Sequence, residues 1–236
     1  MEVYWLEQTA PDVPDHDVWL SHTERLRLVS IAIPKRRGDW RLGRWTAKRA
    51  VAMHLDRRVD PEALSTIEIV AAASGCPEVF VHNKPASVVI SLTHCSGRAV
   101  CAVARRGVRI GCDLELIESH SNAFLRDYFT IEEQHVVELT PLTERDAVLA
   151  VLWSAKESAL KALQTGLRVD TRCVTVRQPH CRPSSDASIW RPLEVCSSFG
   201  DIFAGWWQHA DGFVRTLVAD PPPQLPVTLE LTRQAQ

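Results

Sequence analysis

Between Val88 and Glu115 the chain reads as three extended runs separated by two short turns, and no other stretch limits the possible folds as much. Val88 to Leu92 is rich in β-branched and apolar residues. Ser91 to Arg98 forms a turn, Ala99 to Ala104 returns, Arg105-Arg106-Gly107 turns again, and Val108 to Glu115 leaves. Connections this short join antiparallel neighbours, because a parallel crossover needs a dozen residues or more. The spacing therefore predicts a three-stranded antiparallel meander. Helical patterns stand on both sides of it.

Upstream, Val3 to Leu6 reads as a short strand. Trp19, Leu20, Leu26, Val29 and Ile33 fall near helical spacing, and Pro34 is expected to stop that helix. Lys35 to Arg49 is densely basic and runs into the apolar Ala50 to Met53, which predicts a helix with a cationic face. Ile67 to Ala72 is a further strand. Downstream, Ser119 to Tyr128 is weakly helical, and Thr130 with Glu133 three residues on makes a capping box, so a helix starts near Ile131 and ends before Pro141. The run from Asp146 to Leu163 predicts a long helix, with Gly166 closing it. Cys173 to Arg177, Ile189 to Val195 and Gly205 to Ala219 are strand-like again, and Pro221, Pro222, Pro223 and Pro226 mark an extended tail. No short repeat is found, although helix followed by strands recurs once in each half as a coarse echo.

The 236 residues suffice for one large domain or two smaller ones. A formal net charge of -2 argues against general nucleic-acid binding. Seven cysteines, an odd number without Cys-x-x-Cys spacing, read as reduced thiols and not as a disulfide framework or zinc site. No apolar run approaches a membrane span, and the first residues lack the pattern of a secretory signal, so a cytoplasmic protein without membrane association is expected.

Chemistry concentrates in two places. Asp113 and Glu115 stand two apart on a strand, so both carboxylates leave one face while Leu114 leaves the other. In Trp153-Ser154-Ala155-Lys156-Glu157-Ser158-Ala159-Leu160-Lys161, Glu157 and Lys161 share a helix face. Three carboxylates form an all-oxygen donor set of the kind magnesium uses while keeping waters for a phosphate ligand. Each feature also has an ordinary reading: exposed acids on a strand, an i,i+4 ion pair, and for Glu133 a helix cap. The basic run fits either a solvated helix surface or an anion site.

In this order and spacing, Gly111-Cys112-Asp113-Leu114-Glu115 and Trp153 to Lys161 resemble the paired signature of the 4'-phosphopantetheinyl transferases of the single-chain Sfp type. The resemblance includes Asn83-Lys84-Pro85, Ser91-Leu92-Thr93-His94-Cys95-Ser96, the basic segment Arg41 to Arg49, and Phe129, Glu132 and Glu133. It implies two similar α+β halves related by pseudo-twofold symmetry, each a small antiparallel sheet with packed helices, and coenzyme A bound in the cleft between them. The divisions expected are an N-terminal half over 1–107 on the coenzyme A side, a C-terminal half over 108–219 with the catalytic residues, and the tail over 220–236.

The implied reaction moves the phosphopantetheine arm of coenzyme A onto a serine of an acyl or peptidyl carrier protein and releases adenosine 3',5'-bisphosphate. By the resemblance Asp113, Glu115 and Glu157 hold magnesium, and Glu157, or Glu133 through a water, takes the serine proton. Lys161 meets phosphate oxygens. Lys84, Thr93 and His94 match positions holding the 3'-phosphate and adenosine, and one or two of Arg41, Arg44, Lys48 and Arg49 join them. The departures, Asn83 for a glycine, Thr93 for a serine and Cys112 for an aliphatic residue, remove no proposed ligand. A monomer is expected, with Ser119 to Leu142 facing the carrier and Phe124, Leu125 and Phe129 as anchors. Another magnesium-dependent nucleotide hydrolase or phosphotransferase, or a non-catalytic coenzyme A binding module, are the competing readings.

Overall fold

The computed structural model describes residues 1–177 and 189–230. Its strands and helices divide between two compact units. One holds Glu2–Gly107 with the segment from Pro226 onward, and the other holds Val108–Leu225 with Met1.

The N-terminal unit opens with β1 (Tyr4–Thr9), followed by α1 (His22–Ser30), α2 (Pro34–His54) and α3 (Pro61–Ser65). A small antiparallel sheet of β2 (Ile67–Ala71), β3 (Pro77–Val81) and β4 (Lys84–Pro85) comes next, then the hairpin β5 (Val88–Cys95) and β6 (Arg98–Arg105). Pro34 does not end a helix but occupies the first turn of α2, where its missing N–H has no partner to lose. The turn expected from Ser91 onward is confined to Ser96 and Gly97, both at positive φ, so β5 carries Thr93 and His94 within the strand.

The second unit opens with β7 (Arg109–Leu116), followed by α4 (Asn122–Tyr128), α5 (Ile131–Leu139) and α6 (Arg145–Ala162). It closes with β8 (Val174–Arg177), β9 (Arg191–Ser197), β10 (Ile202–Ala210) and β11 (Phe213–Asp220), in a sheet ordered β7-β11-β10-β9-β8. The expected meander is therefore corrected. Strand β6 already has β1 on one edge and β5 on the other, so β7 pairs with β11 instead. Within the proline-bearing tail, β12 (Val227–Thr228) runs parallel to β1 at the edge of the N-terminal sheet.

Apart from α3 and β4 in the first unit and α4 in the second, the chain order within each unit is the same: a strand, a capped helix, a long helix, two strands, and a hairpin whose last strand pairs antiparallel with the first. The parallel extends to single side chains. In α1 the capping box is Ser21 with Glu24, and in α5 it is Thr130 with Glu133. Glu133 is buried and its oxygens are fully engaged. Oε2 accepts the Thr130 backbone N–H at 2.9 Å and pairs with the Lys156 ammonium at 2.7 Å, while Oε1 accepts the Val176 N–H at 2.9 Å. Glu24 does the same with the Ser21 N–H, the Lys48 ammonium and the Ile69 N–H. Lys156 donates further to the carbonyls of Thr171 and Val174, and Lys48 to those of Trp19 and Leu64. Both lysines are wholly buried, and burial lowers both ammonium pKa values against the pull of their glutamates. Each clamp ties a helix N-terminus, a long helix and the edge of a sheet into one unit.

The two helices carry the repeat in sequence as well, Trp45-Thr46-Ala47-Lys48 in α2 and Trp153-Ser154-Ala155-Lys156 in α6. Separate apolar cores surround them. One gathers Trp19, Leu20, Trp45, Ala47, Val51 and the inner face of β6, and the other Phe129, Leu149, Leu152, Ala155, Leu160 and the inner faces of β9 to β11.

Candidate active site

Strand β7 and helix α6 approach each other so closely that no side chain fits between them at one point. A Cβ on Gly111 would lie 1.8 Å from the carbonyl oxygen of Ser158. Buried hydroxyls fix the helix on the neighbouring strand: Thr216 Oγ1 lies 2.9 Å from Ser154 Oγ and 2.7 Å from Ser158 Oγ, and Thr216 is the sheet partner of Asp113. These contacts set the height and rotation of α6 against β7, and they bring Glu157 and Lys161 over the face from which Asp113 and Glu115 project.

On that face the Lys161 ammonium donates to Asp113 Oδ1 at 2.7 Å and to the Cys112 carbonyl at 3.1 Å, and lies 3.9 Å from Glu157 Oε2. Asp113 is buried, and Glu115 and Glu157 are partly so. Burial, then repulsion from Asp113 and Glu157, push the Glu115 carboxyl up to about 8, against the weaker pull of Lys161 and a hydrogen bond from Trp153. Glu157 is raised for the same reasons, burial first and Asp113 next. Burial would lower the Lys161 pKa, but the charge interactions with Asp113, Cys112 and Glu157 and the hydrogen bond to Asp113 outweigh it and hold the ammonium above its ordinary value.

One ammonium among three acids leaves the cluster short of positive charge, and a divalent cation is the partner that would relieve it. Among the described residues no three carboxylate, imidazole or thiol groups already stand in a metal-ligating arrangement. The donor chemistry is of the kind magnesium takes, since all three groups are hard oxygen donors and both Asp113 and Glu157 repel the Glu115 carboxyl.

Glu133, expected as an alternative base, is 1 % exposed and committed through both oxygens to Thr130, Val176 and Lys156. It serves the fold of the unit. Phe129, expected as a docking anchor, is instead fully buried in the core, under the Lys156 ammonium. Phe124 is half-buried against Trp153, Tyr128 and Phe129, and Leu125 also packs on the core. The exposed large apolar side chains of the segment are Tyr128, Ile131, Leu139 and Leu142.

In the N-terminal unit, Lys84 and His94 are exposed and Thr93 is buried beneath the hairpin end. The basic residues of α2 differ in availability. Lys48 is consumed by its clamp, Arg41 bonds Asp17 and the Pro14 carbonyl, and Arg44 lies beside Glu24 and over the Trp40 ring. Arg49 lies against the Trp45 ring, 5.3 Å from its centroid.

The acid cluster, the lysine one helical turn beyond Glu157 and the glycine-tight contact beneath them all fall in one continuous stretch. Residues 109–199 match the family model of the 4'-phosphopantetheinyl transferase superfamily. The match spans β7, α4, α5, α6, β8 and β9, so it contains Asp113, Glu115, Glu157 and Lys161. No curated protein matches the chain. The superfamily match supports a transferase acting in phosphopantetheine transfer. No described helix is long and apolar enough to cross a membrane.

Proposed function

We propose that this chain is a magnesium-dependent 4'-phosphopantetheinyl transferase of the single-chain Sfp type, which loads a serine of an acyl or peptidyl carrier protein. The observation that carries the reading is the Asp113, Glu157 and Lys161 constellation, built on the Gly111 contact inside the matched stretch. The duplicated clamp and the common strand and helix order support two similar halves in one chain.

Asp113, Glu115 and Glu157 would hold the magnesium ion, whose charge offsets that of the coenzyme A pyrophosphate. Glu157 accepts the proton of the carrier serine. The serine oxygen bonds to the phosphorus that carries the pantetheine arm. The bond from that phosphorus to the bridging oxygen breaks, and adenosine 3',5'-bisphosphate leaves. Lys161, kept charged by its carboxylate neighbours, donates to a phosphate oxygen as charge shifts toward the leaving group. Exposed Lys84 and His94, with the Thr93 hydroxyl, are assigned to the 3'-phosphate and adenosine. Ile131, Leu139 and Leu142 offer the carrier an apolar contact on α5 and just beyond it. The carriers would belong to fatty acid, polyketide or nonribosomal peptide synthesis, served by a monomer in the cytoplasm.

The test is to incubate the protein with coenzyme A, magnesium and a panel of apo carriers, and to weigh the carriers. One phosphopantetheine added per carrier, with adenosine 3',5'-bisphosphate formed only when a carrier is present, is the expected result. Release of nucleotide without any carrier gaining mass would point to a hydrolase, and an Asp113→Ala variant with full activity would remove the metal assignment.

A further inference from the structure

The repeat within the chain places a second set of side chains where the acid cluster would recur, and these have the opposite chemistry. Counting back from each hairpin turn gives the alignment of the strands. Thr9 pairs with Arg98 beside the β5–β6 turn, and Leu116 pairs with Phe213 beside the β10–β11 turn. Gln8 therefore stands for Glu115, and Leu6 for Asp113. Counting along the helices from the clamped lysines, Trp45 stands for Trp153, Arg49 for Glu157 and Met53 for Lys161. Leu6 packs in the same core as Trp45 and Ala47 of α2, so Gln8, two residues on, leaves β1 on that face. All three acids of the second unit are gone from the first, and a guanidinium replaces one of them.

Three polar groups there await a partner. Gln8 is 5 % exposed and Trp45 7 % exposed, yet among the described residues Gln8 Oε1 and Trp45 Nε1 have no hydrogen-bond partner. Arg49 is half-buried and lies against the Trp45 ring, and no hydrogen bond or ion pair to it is found among the described residues. Burial lowers its pKa, and Asp12, the carboxylate whose field opposes that, is turned to the Thr9 N–H and hydroxyl. A buried polar group left unsatisfied is uncommon, and these two, one on the tryptophan that packs against an uncommitted guanidinium and one at the β1 position aligned with Glu115, mark a place where a ligand completes the structure.

We propose that Arg49, Gln8 and the Trp45 indole N–H form an oxyanion site in the N-terminal unit that takes a phosphate group. The guanidinium offers a planar fork, the indole N–H one donor, and the Gln8 amide another once its NH2 end is turned inward. Together they match the several acceptor oxygens of a phosphate, and none of them suits a metal ion. The phosphate belongs either to coenzyme A or to a separate phosphate-bearing ligand. The site stands on the repeat and the unpartnered groups, and it does not depend on the chain being a transferase.

Calorimetric titration of the full chain with inorganic phosphate, without magnesium, tests it. The wild type is expected to bind phosphate saturably, and Arg49→Gln to weaken that binding about tenfold or more, with Gln8→Leu weakening it in the same direction. Circular dichroism and the melting temperature check that each variant is folded, and Gln8→Leu keeps the test open if Arg49→Gln is not. A KM for coenzyme A raised in Arg49→Gln with kcat unchanged assigns the site to a phosphate of the coenzyme. An unchanged KM assigns it to a separate ligand. No saturable phosphate binding by the wild type, or equal binding by wild type and both folded variants, overturns the proposal. A chain that binds phosphate through Arg49 but modifies no carrier would overturn the transferase reading alone.

Discussion

Replacing Lys156 by Met keeps most of the side-chain volume of this buried position and removes its charge. The ammonium it deletes is wholly buried and serves Glu133 at 2.7 Å, the Val174 carbonyl at 2.5 Å and the Thr171 carbonyl at 3.2 Å. Glu133 then stays buried with two backbone N–H donors and no counter-charge, and two carbonyls lose a donor. Breaking a buried pair from one side costs about 3–5 kcal/mol. At roughly 2–4 °C per kcal/mol for a chain of this size, the melting temperature of the second unit falls by about 6–20 °C. Replacing both partners, Lys156→Met with Glu133→Leu, removes the uncompensated charge, so the double variant is expected to lose clearly less than the sum of the single losses. Urea denaturation followed by tryptophan fluorescence measures all three. The same substitution at Lys48, which holds Glu24 and two carbonyls in the same pattern, should cost a similar amount in the first unit. A loss below about 1 kcal/mol at Lys156, or strictly additive effects, would refute the clamp. A large loss at Lys156 with none at Lys48 would refute the equivalence of the two units.

Gly111→Ala puts a methyl group 1.8 Å from the Ser158 carbonyl, so α6 must move off β7 or the variant must unfold. Overpacking of this kind costs about 1–3 kcal/mol or more, and transfer activity should fall further than stability because Glu157 moves with the helix; a fully active, fully stable variant would contradict the contact. Lys161→Met should lower kcat by about 100- to 1000-fold with the fold retained, as expected for a donor to a developing phosphate charge, and unchanged kcat would remove that role. Metal-free protein should lose stability as pH rises from about 4.5 to about 8. In that window the unfolded chain has lost the Glu115 proton while the folded chain, whose Glu115 carboxyl is raised to about 8, still holds it. Melting temperatures at pH 5 and pH 8.5 check this, with Glu115→Gln expected to reduce the decline, and a variant that tracks the wild type would count against the assignment.

The capping box at Thr130 and Glu133 was legible because its three-residue spacing is local, and so was the shared face of Asp113 and Glu115, which needs only strand periodicity. What the local pattern concealed was the other half of each interaction. Glu133 reads as a cap, or as a base once a family signature is laid over it, until Val176 and Lys156 are seen to occupy it from distant parts of the chain. Strand β7 reads as the neighbour of β6 because a short turn joins them, but strand pairing depends on which edges are already taken, and no turn residue records that. Pro34 reads as a stop when only the helix before it is considered, yet it is equally suited to start one.

The internal repeat is a different case, since Trp45-Thr46-Ala47-Lys48 and Trp153-Ser154-Ala155-Lys156 stand in plain view. The residues that follow hide it, Arg49 against Glu157 and Met53 against Lys161, and Arg49, Glu157 and Lys161 are the ones assigned to the two proposed sites. Where the copies agree, as at Lys48 and Lys156, the side chain is fully buried and holds a glutamate and two carbonyls of its own unit. Where they disagree, the side chain faces a ligand site in the readings proposed above. Agreement at Lys48 and Lys156 thus reports what the fold requires, and disagreement at Arg49 and Glu157 marks the proposed chemistry. By that criterion the lysine within the transferase-like signature is a structural residue, and the glutamate next to it is the one to test in catalysis.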